Sequence, residues 1–215
     1  MANQHSFDSS WTLFLDRDGV INERKENDYI KNWKEFSFIK GVPRIMENLA
    51  DTFGRILIVT NQAGIGKNLM TEAELHEVHR MMLKTIDLMD GRIDKIYYAP
   101  EMPDAKASTR KPHAAMALQA QKDYPEIDFS KSLMVGDSLS DMLFGKNLGM
   151  VTVLIEGKGD DFSGVSPDYT FKSLPEFVRG LGMGGVELEE EEIEEEGIEE
   201  DETGGGTLED ETLDD

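Results

Sequence analysis

The sequence predicts an α/β protein whose parallel β-sheet is covered by helices on both faces. Short apolar runs rich in β-branched or aromatic residues recur along the chain, and each is bounded by Gly, Asp or Asn. Segments with a helical pattern separate most of these runs. Strands that alternate with helices pair in parallel, because each helix carries the chain back to the starting edge of the sheet.

Six apolar runs are expected to form the strands. The first five are "WTLFL", "RILIVT", "IDKIYY", "SLMVG" and "VTVLI", at residues 11–15, 55–60, 93–98, 132–136 and 151–155. A short sixth strand is expected at 168–171. We expect this sheet to be buried between two layers of helices.

The helices show recognisable ends. They are expected at 42–54, 71–91, 111–125, 140–149 and 174–182. Pro43 and Gly54 follow the usual asymmetry of helix ends, and Thr71 and Glu74 have the spacing of a capping box. Pro112 suits the first position of the third helix.

The 215 residues predict one main domain at 11–183, preceded by an N-terminal extension at 1–10. Within the domain, the charged segment 22–40 fits no regular element, which predicts a loop or small flap and no large cap domain. The net charge of −22 arises mostly after the domain, since 186–215 contains 17 acidic residues and no Lys or Arg. Such a composition cannot bury enough apolar surface to fold, so we expect a disordered acidic tail at 184–215.

Composition excludes several classes of partner and site. The body is mildly acidic and has no cluster of Lys and Arg, which argues against nucleic-acid binding. The apolar runs are far shorter than the roughly 20 residues that span a bilayer, and no signal peptide is evident. The chain has no cysteine, so neither a disulfide nor a thiolate metal site can form. We therefore expect a cytoplasmic monomer without a membrane partner.

Four polar motifs follow predicted strands or begin predicted helices. They are "DRDG" at 16–19, "TNQ" at 60–62, "RKP" at 110–112 and "GDSLSD" at 136–141. Ligands of open parallel sheets lie outside the carboxyl ends of the strands. The motifs therefore predict a site at this edge in which carboxylates, a hydroxyl and a lysine converge.

The first predicted strand is followed directly by Asp16 and then by Asp18, with one residue between them. Their mutual repulsion predicts a bound divalent cation. Mg²⁺ prefers carboxylates, carbonyls and water in an octahedral array, and it commonly bridges to a substrate phosphate. We expect Asp16 and Asp137 to supply one carboxylate oxygen each and Asp18 to supply its backbone carbonyl.

The four motifs in this order resemble those of the haloacid dehalogenase (HAD) superfamily of aspartate-nucleophile phosphatases, which implies a Rossmann-like fold. The resemblance covers residues 11–155. The stretches "FLDRDGVIN", "VTNQAGIGKNLMTE", "IYYAP", "RKPHAAM" and "MVGDSLSDM" resemble the branch that contains histidinol-phosphate phosphatase and heptose-bisphosphate phosphatase. Members of this branch are compact, with loops in place of a large cap.

The resemblance implies that Asp16 attacks phosphorus and forms an aspartyl-phosphate. Asp18 would act as general acid and then as general base, for which a raised pKa is expected. Lys111 and Thr60 would hold the transferring phosphoryl group. Arg110 would bind a second anionic group of the substrate. The two other side chains of the second motif would line the pocket, namely Asn61 and Gln62. The role of Asp141 stays open between orienting Lys111 and orienting a metal-bound water.

The chain departs from this branch in the loop before "RKP", where members bind zinc through three Cys and one His. Ala99 and Glu101 stand where the first Cys and the His would fall, and Ala107 and Thr109 stand where the later Cys pair would fall. These residues offer neither sulfur nor imidazole, so no zinc is expected. Because this loop borders the pocket, substrate identity does not transfer directly from the branch.

The leading functional prediction is a Mg²⁺-dependent phosphomonoesterase acting on a small phosphorylated metabolite. A sugar phosphate or bisphosphate and histidinol phosphate are both open, and Arg110 favours a second anionic group. The alternatives are a polynucleotide 3′-phosphatase and a non-catalytic binding protein that uses the acidic tail.

Two further features are interpreted as structural: His76 and His79 as surface residues, and "GIGK" at 64–67 as a turn.

Overall fold

The computed structural model describes residues 5–26, 28–105, 108–157 and 159–182. The predicted acidic tail and the first four residues of the predicted N-terminal extension lie outside these ranges. Within the described part of the extension, the ring of Phe7 lies 4.9 Å from that of Trp11 and 5.8 Å from that of Phe53. Residues just before the first strand therefore pack against the domain.

Six parallel strands form the sheet, which confirms the predicted fold class. In chain order they are β1 (Thr12–Leu15), β2 (Arg55–Asn61), β3 (Lys95–Ala99), β4 (Ser132–Gly136), β5 (Val151–Ile155) and β6 (Tyr169–Phe171). Every predicted strand forms, and β3 begins and ends later than its predicted range of 93–98. The strands lie in the order β3-β2-β1-β4-β5-β6, and each neighbouring pair is parallel.

The strand order reverses direction between β1 and β4. After β1 the chain adds β2 and β3 on one side, and it then crosses to β4 on the other side. The loops that leave β1 and β4 diverge and open a crevice at the carboxyl edge, where such sheets bind ligands. Leu15 pairs with Val135, and the Asp16 backbone N–H donates to the Val135 carbonyl at 2.9 Å. Asp16 and Asp137 consequently flank this crevice.

Helices cover both faces of the sheet. They are α1 (Val42–Thr52), α2 (Ala63–Gly66), α3 (Glu72–Asp87), α4 (Ala115–Asp123), α5 (Leu139–Leu148) and α6 (Leu174–Gly180). Leu13 and Leu15 join the core cluster that includes α1, α3 and α6, whereas Phe14 joins the cluster that includes α4 and α5. Side chains that point alternately to the two faces of β1 thus contribute to the cores on both faces of the sheet. None of the described helices is long and apolar enough to cross a membrane.

Two local predictions were wrong. Pro112 is not the first residue of a helix, because α4 begins at Ala115 and Pro112 follows Lys111 through a cis peptide bond. The His113 backbone N–H donates to the Arg110 carbonyl at 2.8 Å, so a turn occupies this stretch. The predicted turn at 64–67 instead contains most of the single-turn helix α2.

The segment 22–40, called the flap below, contains a short 3₁₀ turn at Trp33–Glu35, and its other described residues form no helix or strand. Its aromatic side chains attach it to the domain. The rings of Trp33 and Phe36 stack with centroids 4.9 Å apart, and both pack against the core together with Phe38. The charged first half of the flap is thereby held beside the end of β1.

Candidate active site

A buried lysine joins two aspartates of the predicted site. Lys111 Nζ lies 2.9 Å from Asp16 Oδ1 and 2.6 Å from Asp141 Oδ1, and it donates to the Val59 carbonyl at 2.6 Å. Lys111 is only 4% exposed and Asp141 is fully buried. Because these charges are buried, water screens them poorly, and the contacts hold the ammonium group of Lys111 beside Asp16. Residues from three separate motifs thus meet at the carboxyl edge.

Asn61, at the end of β2, positions the loop that carries Lys111. Its side-chain oxygen accepts from the Lys111 backbone N–H at 3.0 Å, and its side-chain amide donates to the Lys111 carbonyl at 3.3 Å. This pair of hydrogen bonds attaches the "RKP" motif to the neighbouring strand. Asn61 also lines the cavity beside the site, whereas Gln62, the other residue expected there, is not among the lining residues.

Asp141 lies against Lys111 and also caps helix α5. Its Oδ2 accepts from the Ser138 backbone N–H at 3.0 Å and from the Ser138 hydroxyl at 2.6 Å. Gly136 permits this approach, since a Cβ at that position would lie 2.2 Å from the Cβ of Asp141. Of the two roles left open by the sequence, the geometry favours the orientation of Lys111.

Three side chains hold the carboxylate of Asp18. Arg17 Nη2 donates to both oxygens at 2.9 and 3.0 Å, Asn22 Nδ2 donates to Oδ1 at 3.0 Å, and Gln62 Nε2 donates to Oδ2 at 2.9 Å. Burial raises the pKa of Asp18, but the charge of Arg17 and these hydrogen bonds outweigh burial and lower the pKa below its ordinary value. The expectation of a raised pKa was therefore wrong, because it omitted the guanidinium beside the carboxylate.

Asp16 shows the opposite shift. Burial raises its pKa to about 7, against the opposing charge of Lys111, and the carboxylates of Asp141 and Asp137 raise it further. The carboxylates that raise the pKa of Asp16 are thus Asp141 and Asp137, whereas the sequence had predicted repulsion from Asp18; a bound cation would relieve this repulsion. Asp16 and Asp18, which are separated by one residue, therefore have pKa values shifted in opposite directions.

Two of the predicted metal-binding carboxylates lie close together, with Asp141 beside them. Carboxylate oxygens of Asp16, Asp137 and Asp141 lie within 4.8 Å of one another, and all three residues are buried. Oxygens bound to one octahedral Mg²⁺, with bonds of about 2.1 Å, lie about 3 to 4 Å apart. The flap residue Arg24 already brings a cation here, since it donates to Asp137 Oδ2 at 2.7 and 3.0 Å and to the Asp18 carbonyl at 3.1 Å. The carboxylates of Asp16 and Asp137 are therefore close enough to bind one divalent cation, and Arg24 links Asp137 to the Asp18 carbonyl.

A cavity of about 200 Å³ borders this centre. Thr60 lines it, and the Thr60 hydroxyl accepts from Gln62 Nε2 at 3.0 Å. Arg110 also lines it, donates from Nη1 to the Glu101 carbonyl at 3.1 Å, and forms no ion pair with any described residue. The lining contains four cationic side chains, Arg24, Lys25, Arg110 and Lys111, and three carboxylates, Asp16, Asp18 and Asp28. Of the four cations, Arg110 is the one without an ion pair to a described residue, so it is the one available to an anionic ligand.

Hydrogen bonds hold the loop in which the resembled branch carries its zinc ligands. The Thr109 hydroxyl donates to Glu101 Oε1 at 2.9 Å, and the Gly66 backbone N–H donates to the Pro100 carbonyl at 3.0 Å. Ala99 is buried at the end of β3, and Ala107 lies outside the described residues. The described part of this loop thus connects α2 to the "RKP" motif through main-chain and side-chain contacts.

The sequence reasoning missed four residues of the site: Arg17, Asn22, Arg24 and His79. The interpretation of His79 as a surface residue was wrong, since it is 5% exposed and its Nε2 lies 3.1 Å from Arg17 Nη1. Its spacing of four residues from the buried Leu75 placed it on the apolar face of α3, so a signal was present. His76, one turn earlier, is exposed as expected.

Known phosphatases are similar to most of this chain. Residues 108–177 match the HAD-hydrolase-like family. The D-glycero-alpha-D-manno-heptose-1,7-bisphosphate 7-phosphatase of Mycobacterium tuberculosis is 33% identical over 175 residues, which cover 80% of this chain and 92% of that protein. The D-glycero-beta-D-manno-heptose-1,7-bisphosphate 7-phosphatase of Escherichia coli K12 is 36% identical over 155 residues, which cover 68% of this chain and 80% of that protein.

Solved structures agree with these similarities. The D,D-heptose 1,7-bisphosphate phosphatase from B. bronchiseptica, complexed with magnesium and phosphate, has a TM-score of 0.72 and 26% identity, covering 80% of this chain and 97% of that chain. The corresponding protein from Burkholderia thailandensis has a TM-score of 0.57 and 26% identity, covering 81% of this chain and 99% of that chain. The chain is therefore a phosphatase of the HAD superfamily, and it belongs to the branch of the heptose-bisphosphate phosphatases.

Proposed function

We propose that this phosphatase removes one phosphate from a small sugar bisphosphate, with Asp16 as nucleophile, Asp18 as general acid and base, and Mg²⁺ as cofactor. The proposal depends above all on the contact between Lys111 and Asp16 in a crevice that Asp137 shares. Arg110, which lines the adjacent cavity and forms no ion pair with the described residues, supports a substrate with a second phosphate. The heptose-bisphosphate phosphatases among the relatives support a sugar bisphosphate over histidinol phosphate.

In the proposed reaction an Asp16 oxygen attacks phosphorus, and the bond from phosphorus to the leaving alcohol oxygen breaks. Asp18 gives a proton to that oxygen, and later takes a proton from the water that hydrolyses the aspartyl-phosphate. The lowered pKa of Asp18 keeps it ionised and able to accept that proton. An incoming phosphate brings negative charge beside Asp18 and raises its pKa, which favours the protonated form needed first.

Lys111 and the Thr60 hydroxyl would hold oxygens of the transferring group. Mg²⁺ bound by Asp16, Asp137 and the Asp18 carbonyl would neutralise part of the phosphate charge. Positive groups held in place before the substrate arrives supply most of the catalysis in phosphoryl transfer. This division of roles explains why a buried lysine is kept beside a buried nucleophile.

The test is a comparison of kcat/KM on both anomers of heptose 1,7-bisphosphate, histidinol phosphate and a 3′-phosphorylated oligonucleotide, with Mg²⁺ or with excess EDTA. We expect a bisphosphate to be preferred by about tenfold or more, the value of one charged hydrogen bond. Both anomers are needed because relatives named for each of them are similarly related. Preference for either of the other substrates would contradict the proposed substrate, and full activity in EDTA would contradict the proposed cofactor.

Arg110→Met is expected to weaken binding of the bisphosphate while sparing a substrate with one phosphate. The Arg110 guanidinium forms no ion pair with the described residues, so a second phosphate would be its charged partner. A charged hydrogen bond is worth about 1.5–3 kcal/mol, which predicts KM higher by about ten- to a hundredfold. The same variant should hydrolyse p-nitrophenyl phosphate with a nearly unchanged KM. Equal changes on the two substrates would show that Arg110 does not recognise the second phosphate.

Arg24→Met is expected to bind Mg²⁺ more tightly than the wild type. The Arg24 side chain, 35% exposed, is paired with Asp137, so Mg²⁺ must displace it from a ligand. A partly exposed ion pair is worth about 1 kcal/mol, which corresponds to roughly fivefold in the dissociation constant. Calorimetric titration of the protein with Mg²⁺ alone measures this change. Lys25→Met is the matched control, since Lys25 pairs with Asp28 and Glu35 of the same flap. Unchanged affinity in Arg24→Met would show that Arg24 does not compete with the metal.

A further inference from the structure

We propose that His79 is a positioning residue for Asp18 and acts through the buried side chain of Arg17, an inference that rests on the proposed function. A chain of contacts leads from α3 to the reaction centre. His79 Nε2 lies 3.1 Å from Arg17 Nη1, and Arg17 Nη2 donates to the two oxygens of Asp18 at 2.9 and 3.0 Å. The helix on one face of the sheet is thereby connected to the proposed general acid.

The chemistry of the two groups determines the direction of the first hydrogen bond. A guanidinium group carries only donors, so His79 Nε2 accepts from Arg17 and the ring proton lies on Nδ1. Burial, with the nearby charge of Arg17, lowers the pKa of His79 to about 3, so the ring stays neutral near pH 7. A neutral acceptor leaves the positive charge of Arg17 available to Asp18.

Arg17 depends on this acceptor for its orientation. The residue is fully buried, and its Nε finds no hydrogen-bond partner among the described residues. Without His79, Nη1 would lose its partner as well. A buried donor without a partner is unfavourable, so the guanidinium would turn toward other acceptors and its contact with Asp18 would change.

Among the side chains that hold Asp18, Arg17 is the one that donates to both carboxylate oxygens. Asn22 donates to Oδ1 and Gln62 donates to Oδ2. Arg17 Nη2 therefore holds both oxygens of the carboxylate, whereas each of the other two side chains holds one oxygen. Proton transfer to a leaving oxygen requires the acid within hydrogen-bond reach and in the correct orientation. The position of His79 thus determines how well Asp18 meets the leaving group.

The test compares His79→Leu, which removes the acceptor, with His79→Gln, whose side-chain oxygen supplies another. The values to compare are kcat/KM on heptose 1,7-bisphosphate and on p-nitrophenyl phosphate, because this ratio reports the steps up to the aspartyl-phosphate. A sugar alkoxide needs a proton in order to leave, whereas p-nitrophenolate leaves without one. We expect His79→Leu to lower kcat/KM on the bisphosphate by about tenfold, part of the roughly 10²–10⁴ that general acid catalysis contributes. This loss should appear mainly in kcat, be several times smaller on p-nitrophenyl phosphate, and be largely restored in His79→Gln.

Two variants on the same helix serve as controls. His76→Leu replaces the exposed histidine one turn earlier, and Met82→Ala creates a cavity on the buried face without removing a contact to Arg17. If His79→Leu lowers kcat/KM equally on both substrates, the inference is overturned and the proposed function stays intact. The same holds if the loss of kcat/KM follows the loss of melting temperature across the Met82 and His79 variants. A wild-type protein inactive on both substrates would instead overturn the proposed function, and this inference with it.

Discussion

Replacement of Asp16 by Asn is expected to abolish turnover, with kcat lower by on the order of 10⁴- to 10⁶-fold, as for other enzymes that lose a covalent nucleophile. A neutral amide oxygen cannot displace the leaving group from phosphorus. The fold should survive, because Asp16 Oδ1 accepts from the Arg17 backbone N–H at 2.8 Å and from Lys111, and an amide oxygen can accept both hydrogen bonds. Assays on the preferred bisphosphate and on p-nitrophenyl phosphate should both show the loss.

The same substitution also has an expected effect on stability. Burial raises the pKa of Asp16 to about 7, above its value in an unfolded chain, so ionisation destabilises the folded protein as the pH rises through that value. Because Asn carries no charge, the melting temperature of the Asp16→Asn variant in EDTA near pH 8 should equal or exceed that of the wild type. Asp87→Asn, at an exposed position at the end of α3, is the control. Wild-type turnover in Asp16→Asn would disprove the role of Asp16, and a lower melting temperature would contradict the pKa shift.

Lys111→Met should reduce both activity and stability. The ammonium group contacts Asp16 and Asp141, and all three side chains are largely withdrawn from water. Removal of one partner from a buried ion pair typically costs 3–5 kcal/mol, so we expect a loss of about that size in the free energy of unfolding. The loss of a preorganised charge at the phosphoryl group should lower kcat by about 10²- to 10³-fold. Denaturant unfolding and steady-state kinetics measure the two effects separately.

The double variant Lys111→Met with Asp141→Asn separates the structural role of Lys111 from its proposed chemical role. It removes one of the carboxylates that the single variant leaves without a cation, so part of the lost stability should return. Activity should not return, because the positive charge beside Asp16 is still missing. Recovery of kcat together with stability would show that Lys111 acts only by holding the fold, and an unchanged kcat in Lys111→Met would exclude any contribution to catalysis.

The sequence was sufficient for the sheet because strands buried on both faces leave continuous apolar runs, such as those of β2 and β4. The capping box of Thr71 and Glu74 was also visible in the sequence and forms as expected. The start of α4 was not predictable, because the chain before it is held by Asn61, a residue 50 positions away in sequence. Local propensity favoured a helix at Pro112, and this distant contact determined the outcome.

Asp16 and Asp137 could be named from the sequence because the carboxyl edge of a parallel sheet gathers the ends of its strands, and Lys111 could be named because its motif resembles that of the HAD superfamily. Of the side chains around Asp18, Gln62 was named from the sequence, whereas Arg17 and Asn22 were not. Arg17 is fully buried, contrary to the usual exposure of arginine, and its partner His79 lies on a helix far along the chain. The pKa of Asp18 depends on that burial, and no spacing in the sequence reveals it.

The parallel direction of all six strands has a practical consequence for labelling and immobilisation. The candidate site lies at one rim of the sheet, and the exposed Lys131, directly before β4, lies at the opposite rim. The chain has no cysteine, so Lys131→Cys would provide a single thiol for a dye or a surface linker. Enzyme tethered through that position would present its pocket to free solution.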